Sequence, residues 1–167
     1  ESSEPESEPE PVDPKIEAYG YKPHLTEVMP EIRITTPDGS NEFATKWNRV
    51  DKNNGLIDYV DCTVTTANCE EEYAINEVEC EIKVRGNYTL EYPKKPLRLK
   101  FPKKQKQKMF GLNDDAECRS WVLLADWKDR SQLNNATSFF LGNTILSSDG
   151  YHSNDFKHVN VYLNDQY

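Results

Sequence analysis

Apolar and polar residues alternate along most of the chain from residue 31 to 101, and again near its end. Ile32 and Ile34 share one side of EIRITT, and Val60, Cys62 and Val64 share one side of the stretch 58–65. Val78, Cys80, Ile82 and Val84 alternate with Glu79, Glu81 and Lys83 over 76–86, and Leu97, Leu99 and Phe101 with Arg98 and Lys100 over 96–102. Val159, Val161 and Leu163 alternate with Asn160 and Tyr162. A period of two predicts strands with one buried face. The strand 76–86 is predicted to pair with 96–102 through the connection around 87–96, and Arg98 and Lys100 then fall together on the polar side. Pro37-Asp38-Gly39 and Asn53-Asn54-Gly55 predict turns, with 41–56 mainly loop. Asn164 and Asp165 predict a hairpin turn after the last strand.

Only one segment has a strong helical signature. In DRSQLNNATSFFLG, Asp129 is a good N-cap, Gln132 sits at the capping-box position, and Leu133, Ala136 and Phe140 fall on one stripe before Gly142 supplies a stop. WVLLA before it reads as a short buried strand or the lead into the helix. The fold class that follows is α+β, with antiparallel strands, one main helix and a final strand. No internal repeat is visible.

Composition changes the picture at the N-terminus. The first fourteen residues, ESSEPESEPEPVDP, hold six carboxylates and four prolines with only Val12 to bury. Such a segment cannot offset its ordering entropy, so 1–24 is expected to be an acidic, disordered linker and 25–167 the folded domain. The chain begins with Glu and has no apolar segment long enough for a signal peptide or a membrane span. It therefore reads as a processed product or an excised fragment. The final hairpin has only two residues of return strand before Tyr167, which predicts continuation in the natural protein.

The formal net charge is −9, which argues against nucleic acid as a partner. The charge is uneven: KKPLRLKFPKKQKQK, residues 94–108, carries eight Lys or Arg and no acid. That segment is either a local anion site or a solvated basic loop. Four cysteines at 62, 69, 80 and 118 lack the CxxC spacing of zinc or redox sites, so no metal site is expected. A Cys62–Cys69 bridge across the connection TVTTAN is expected, implying an oxidising compartment. Cys80 and Cys118 either pair or are buried, inert thiols. Asn87 and Asn135 head N-glycosylation sequons, which fit secretion.

Several ordered motifs together carry a family resemblance. EIKVRGNYTLEYPKKPLRLKF, WVLLADWKDRSQLNNATSFFLG and VNVYLNDQY resemble the spore-coat protein H (CotH) kinase family over roughly 30–167, with its RGN motif, KKP-x-R-x-K-F strand, W-x-L-L-A segment, D-x-S-x-L-x-N helix and Y-L-N hairpin. The resemblance implies the N-terminal lobe of a secreted or cell-surface atypical protein kinase, truncated at its C-terminal end. ATP and magnesium would be its cofactors, and Ser or Thr of extracellular or coat proteins its substrate. Phosphoryl transfer needs cations on the nucleotide phosphates, carboxylates on magnesium and an aspartate at the acceptor. Lys100, at the family's R-x-K-F lysine, is the candidate phosphate ligand, with Arg98 beside it and Arg85 near the RGN turn. The alternative for Lys100 is a surface lysine, and Asn87 reads first as a turn former, with glycan acceptor and polar neighbour of the nucleotide as the alternatives. The family's catalytic and magnesium-binding aspartates follow the Y-L-N hairpin, so no catalytic residue is assigned here. The missing C-terminal lobe is an expected partner, and this part is expected to be inactive alone.

Two departures stand out. The helix after Asp129 has no Glu to pair the strand lysine, and Asn134 stands where the family often has arginine. Asp129 is assigned to capping, Trp121 and Trp127 to core or rim, and His24, His152 and His158 to no site. A non-catalytic adhesion or scaffold-attached module of the same fold is the competing function.

Overall fold

A computed structural model describes residues 28–45 and 59–167. The expected linker at 1–24 and the turn at 53–55 lie outside the described residues. The described fold is α+β, with a six-stranded sheet. The strands are β1 (Glu31–Thr35), β2 (Val60–Ala67), β3 (Val78–Val84), β4 (Leu97–Lys100), β5 (Ser120–Leu123) and β6 (Asn160–Leu163), in the spatial order β5-β4-β3-β2-β1-β6. One long helix, α1 (Asn134–Leu146), lies between β5 and β6, and Glu42–Thr45 forms a single helical turn.

The first five strands form an antiparallel meander, and β6 then pairs with β1 in parallel. The antiparallel strands expected from the sequence are present, and the final strand, after the helix, joins them in parallel at one edge. Residues 124–159 carry the chain from β5 at one side of the sheet to β6 at the other. A connection of that length is free to return in either direction, whereas a tight turn is not.

Alternation sets the two faces. Ile32, Ile34, Cys62, Val64, Cys80, Ile82, Val84, Leu97, Leu99 and Phe101 are buried on one side, where Ile75, Leu90, Met109, Phe110 and Trp121 close over them. Each such side chain contributes about 1.5–3 kcal/mol on burial. Thr66 interrupts the apolar face without leaving its hydroxyl unsatisfied. Its Oγ1 accepts from the Ile75 N–H at 2.8 Å and donates to the Tyr73 carbonyl at 3.2 Å.

The β4–β5 connection is a long excursion held at its neck by pairing of Gln107 with Cys118. Trp121 fixes that neck from below, its indole N–H shared between the carbonyls of Gln107 and Cys118, both at 3.2 Å. Beyond the neck, Phe110, Gly111, Asn113, Asp114 and Asp115 all have positive φ. Asn and Asp tolerate that left-handed region better than most residues. Gly111 is required for a further reason, since a Cβ there would sit 2.8 Å from the Tyr73 hydroxyl.

The helix differs from its expected form. It begins at Asn134, and Asp129 caps it from a loop: one carboxylate oxygen takes the Asn134 N–H at 2.8 Å while the other takes the Ser131 N–H and hydroxyl. Those bonds, the Ser131 hydroxyl foremost, hold the Asp129 carboxyl below its usual pKa. Gly142 does not stop the helix. It lies inside, where the Ser153 side chain comes so close that a Cβ would meet its Oγ at 2.7 Å. The stop is Gly150, in the left-handed conformation after a 3-10 turn at Ser147–Asp149. The expected apolar stripe also separates: Ala136 is buried, while Leu133 and Phe140 are exposed. The helix is covered by its own return segment, through Phe139 against Phe156 and Asn143 against Ser153, rather than laid on the sheet.

The cysteine expectation is corrected. All four thiols are free in this structure, and residues 63–67 of TVTTAN are the body of β2 instead of a hairpin connection. Cys62 lies five strand residues before Ala67, where β2 ends, about 16 Å along the strand, so Cys69 just past that end is beyond disulfide reach. Cys80 and Cys118 are also apart, because β4 lies between β3 and β5 and two strand spacings come to about 10 Å. Cys62 instead stands directly opposite Cys80.

The turn expected at Asn164 and Asp165 is present, with φ of 49° and 60°, and Leu163 bridges to Gln166. Asn164 also does something its local sequence does not announce. Its Oδ1 accepts the Thr36 N–H at 2.8 Å, and its Nδ2 donates to Thr36 Oγ1 at 2.9 Å and Asn41 Oδ1 at 2.7 Å. One side chain thus ties the last hairpin to the end of β1.

Candidate phosphate-binding site

The unburied side of the sheet carries the candidate site. Lys100 on β4 lies opposite Glu81 on β3, and Arg98 opposite Lys83. Arg85 follows on the same side of β3, so the register gathers all three residues singled out from the sequence on one face of two adjacent strands. They stand there because Leu97, Leu99, Ile82 and Val84 turn the other way into the core. A lysine held between two buried neighbours loses little further freedom on contacting a ligand.

The geometry around Lys100 is specific. Its Nζ donates to Glu81 Oε2 at 2.6 Å and lies 4.4 Å from the Tyr59 ring centroid. Lys83 Nζ is also 4.4 Å from that centroid, so one aromatic face receives two ammonium groups. The lysine and glutamate side chains are 28% and 41% exposed, which limits the pair to about 0–1 kcal/mol of stability. Its consequence is orientation. Glu81 faces Asp61 on its other side, so Lys100 offsets a carboxylate pair as well as one charge.

Arg98 is less satisfied. Its Nε is buried without a hydrogen-bond partner, a condition that costs about 1–3 kcal/mol. An anionic oxygen delivered to this face would meet that donor. Arg85 makes its backbone bond to the Pro96 carbonyl at 2.9 Å, and no bond from its guanidinium is seen among the described residues. The neighbouring basic loop does not join the cluster: residues 102–106 are exposed, which supports the solvated-loop reading for that stretch.

Other sequence candidates fall elsewhere. Asn87 is exposed just after Gly86, whose φ is 109°, and its carbonyl accepts the Leu90 N–H at 3.3 Å, as a turn former does. Asn135 is exposed on α1, but its Nδ2 is engaged by Asp126 Oδ1. Trp121 is core and Trp127 is exposed. The depression lined by Glu70, Glu71 and Glu72 is acidic and would repel a phosphate. Among the described residues, no group of three or more His, Cys, Asp or Glu is arranged to hold a metal ion, and no helix is long and apolar enough to cross a membrane.

The family described as CotH kinase protein matches residues 82–167. The chain belongs to the CotH kinase family. No curated protein and no solved structure matches it. The match takes in β4, β5, α1 and β6 with Arg85, Arg98 and Lys100, and begins later than the resemblance read from residue 30 onward. Glu81 and Tyr59, the two groups that contact Lys100, both lie outside the matched CotH span, Glu81 immediately before it and Tyr59 well upstream. Sequence reasoning passed over both. Alternation alone put Glu81 on the same side of β3 as Lys83, but the long connection to β4 hid which residue would face Lys100.

Proposed function

We propose that this chain supplies the phosphate-binding sheet of a secreted or surface-associated atypical protein kinase, one that uses ATP and magnesium to phosphorylate Ser or Thr on extracellular or coat proteins. Membership of the CotH kinase family supports a kinase-related function. The observation that carries the finer reading is the face formed by Lys100, held by Glu81 at 2.6 Å, beside Arg98 with its orphaned Nε. Protein kinases use a strand lysine, kept in place by a glutamate, to hold nucleotide phosphates. Here the glutamate comes from the adjacent strand, which answers the absence of Glu from α1.

The residues present fit a nucleotide's phosphates and do not fit its magnesium. Lys100 would donate to phosphate oxygens, Arg98 would add a donor, and Glu81 would keep the ammonium pointed at them. Carboxylates for magnesium and for the acceptor hydroxyl are not gathered among the described residues, so on this reading they come from another part of the same domain. The chain alone would bind nucleotide weakly and transfer nothing.

Titration of the chain with ATP tests this, comparing wild type with Lys100→Ala. A charge-assisted hydrogen bond is worth about 1.5–3 kcal/mol, so affinity should fall by roughly 10–100-fold with the thermal transition retained. Equal binding by a folded variant refutes the lysine assignment. A second reading, a non-catalytic adhesion or scaffold-attached module, draws on the same pair: a lysine already neutralised at 2.6 Å has no need of a ligand. Wild-type chain that shows no nucleotide binding would favour that module.

A further inference from the structure

Cys62 and Cys80 meet in the buried core of the sheet. They are partners in the antiparallel register of β2 and β3, 4% and 5% exposed, and their Sγ atoms lie 3.3 Å apart. Two sulfurs at that distance are inside ordinary van der Waals contact, and neither Cys69 nor Cys118 has another thiol beside it. Residues directly opposite on antiparallel strands have Cα atoms about 4.5–5.5 Å apart, within the span a disulfide bridges without moving the backbone.

We propose that Cys62 and Cys80 form a cross-strand disulfide that staples β2 to β3 on the core side of the sheet. The co-reactant is a small-molecule disulfide. One cysteine thiolate attacks it and releases one small thiol; the second cysteine then attacks the mixed disulfide and releases the other. Two electrons pass from the cysteines to the small disulfide, and the two cysteine protons end on the released thiols. The hydrogen bond from Cys62, with burial, pushes the Cys80 thiol well above its usual pKa, so thiolate is scarce once the sheet has closed. The bond accordingly forms while the strands are still assembling, and a chain folded under reducing conditions oxidises slowly.

The location matters because Cys80 immediately precedes Glu81. A covalent link on the core side fixes the β2–β3 register. That register decides whether Glu81, on the opposite side, meets Lys100 and lies beside Asp61. Cys69 serves no such purpose: its Sγ donates to Thr66 Oγ1 at 3.6 Å.

The test is refolding of the chain in a mixture of reduced and oxidised glutathione, alkylation, and digestion after Glu without reduction. Cys62 and Cys69 fall in one peptide, and Cys80 in another. The expected result is a link between the two peptides with the alkyl label on Cys69 by tandem fragmentation, and free, alkylated Cys118. Reduction should lower the midpoint of thermal unfolding by roughly 5–10 °C, as for a disulfide closing a loop of this size. Four alkylated cysteines, a bridge from Cys69, or a Cys80–Cys118 bridge would each overturn the proposal.

Discussion

Asn164→Ala isolates the contribution of one side chain to docking the final hairpin. In the folded chain the Asn164 carboxamide accepts the Thr36 N–H, and Thr36 is only 2% exposed. Removing it leaves a buried backbone donor without a partner, which costs about 1–3 kcal/mol. Alanine must also adopt the left-handed conformation that Asn holds at φ 49°, adding about 1 kcal/mol. The sum is about 2–4 kcal/mol, or a fall of roughly 5–15 °C in the thermal midpoint for a chain of this length. Two further variants separate the terms. Asn164→Gly keeps the backbone conformation and loses only the carboxamide, for about 1–3 kcal/mol. Asn164→Asp keeps an acceptor for the Thr36 N–H and loses the Nδ2 bonds, so it should be the mildest. Circular dichroism melts of the three proteins give the order directly. Melts for Ala and Gly both within about 0.5 kcal/mol of wild type would show that the network does not hold β6 in place.

Two other outcomes follow from the same reasoning. The Tyr73 hydroxyl donates to Asp115 Oδ1 at 2.9 Å, and that carboxylate pushes the phenol up to about 12. Its contribution to stability is complete below the unfolded value near 10 and is lost as pH rises through about 12. Ultraviolet difference titration of wild type against Tyr73→Phe should show one late-titrating phenol, and Asp115→Asn should return it toward 10; no change in Asp115→Asn would sink the pairing. Leu99→Ala, at a fully buried position, should cost about 2–5 kcal/mol, while Phe140→Ser on the exposed side of α1 should stay within about 0.5 kcal/mol in denaturant unfolding. A large loss at Phe140 would mean that the helix packs where the structure leaves it open.

The strands were legible because each buries one face, and a period of two is the direct consequence of a pleated backbone. Ile82, Val84, Leu97 and Leu99 could be placed on the core side from spacing alone, and Arg85, Arg98 and Lys100 on the other. The helix was legible in existence but not in its limits. Asp129 reaches it from five residues away, and Gly142 is kept small by Ser153, so a local stop signal was in fact a packing requirement.

The pairing of β3 with β4 was legible, but the residue-to-residue partners across strands were not. The sequence by itself determined which strand residues face inward, where the last hairpin turns, and that a cluster of cations lies along one strand, since these depend on the chemistry of near neighbours. Only the tertiary structure decided that β6 joins β1 in parallel, that Cys62 meets Cys80 rather than Cys69, and that Glu81 and Tyr59 receive Lys100. Those outcomes depend on strand register across long connections. A shift of register leaves the hydrophobic period of each strand unchanged while changing every cross-strand partner.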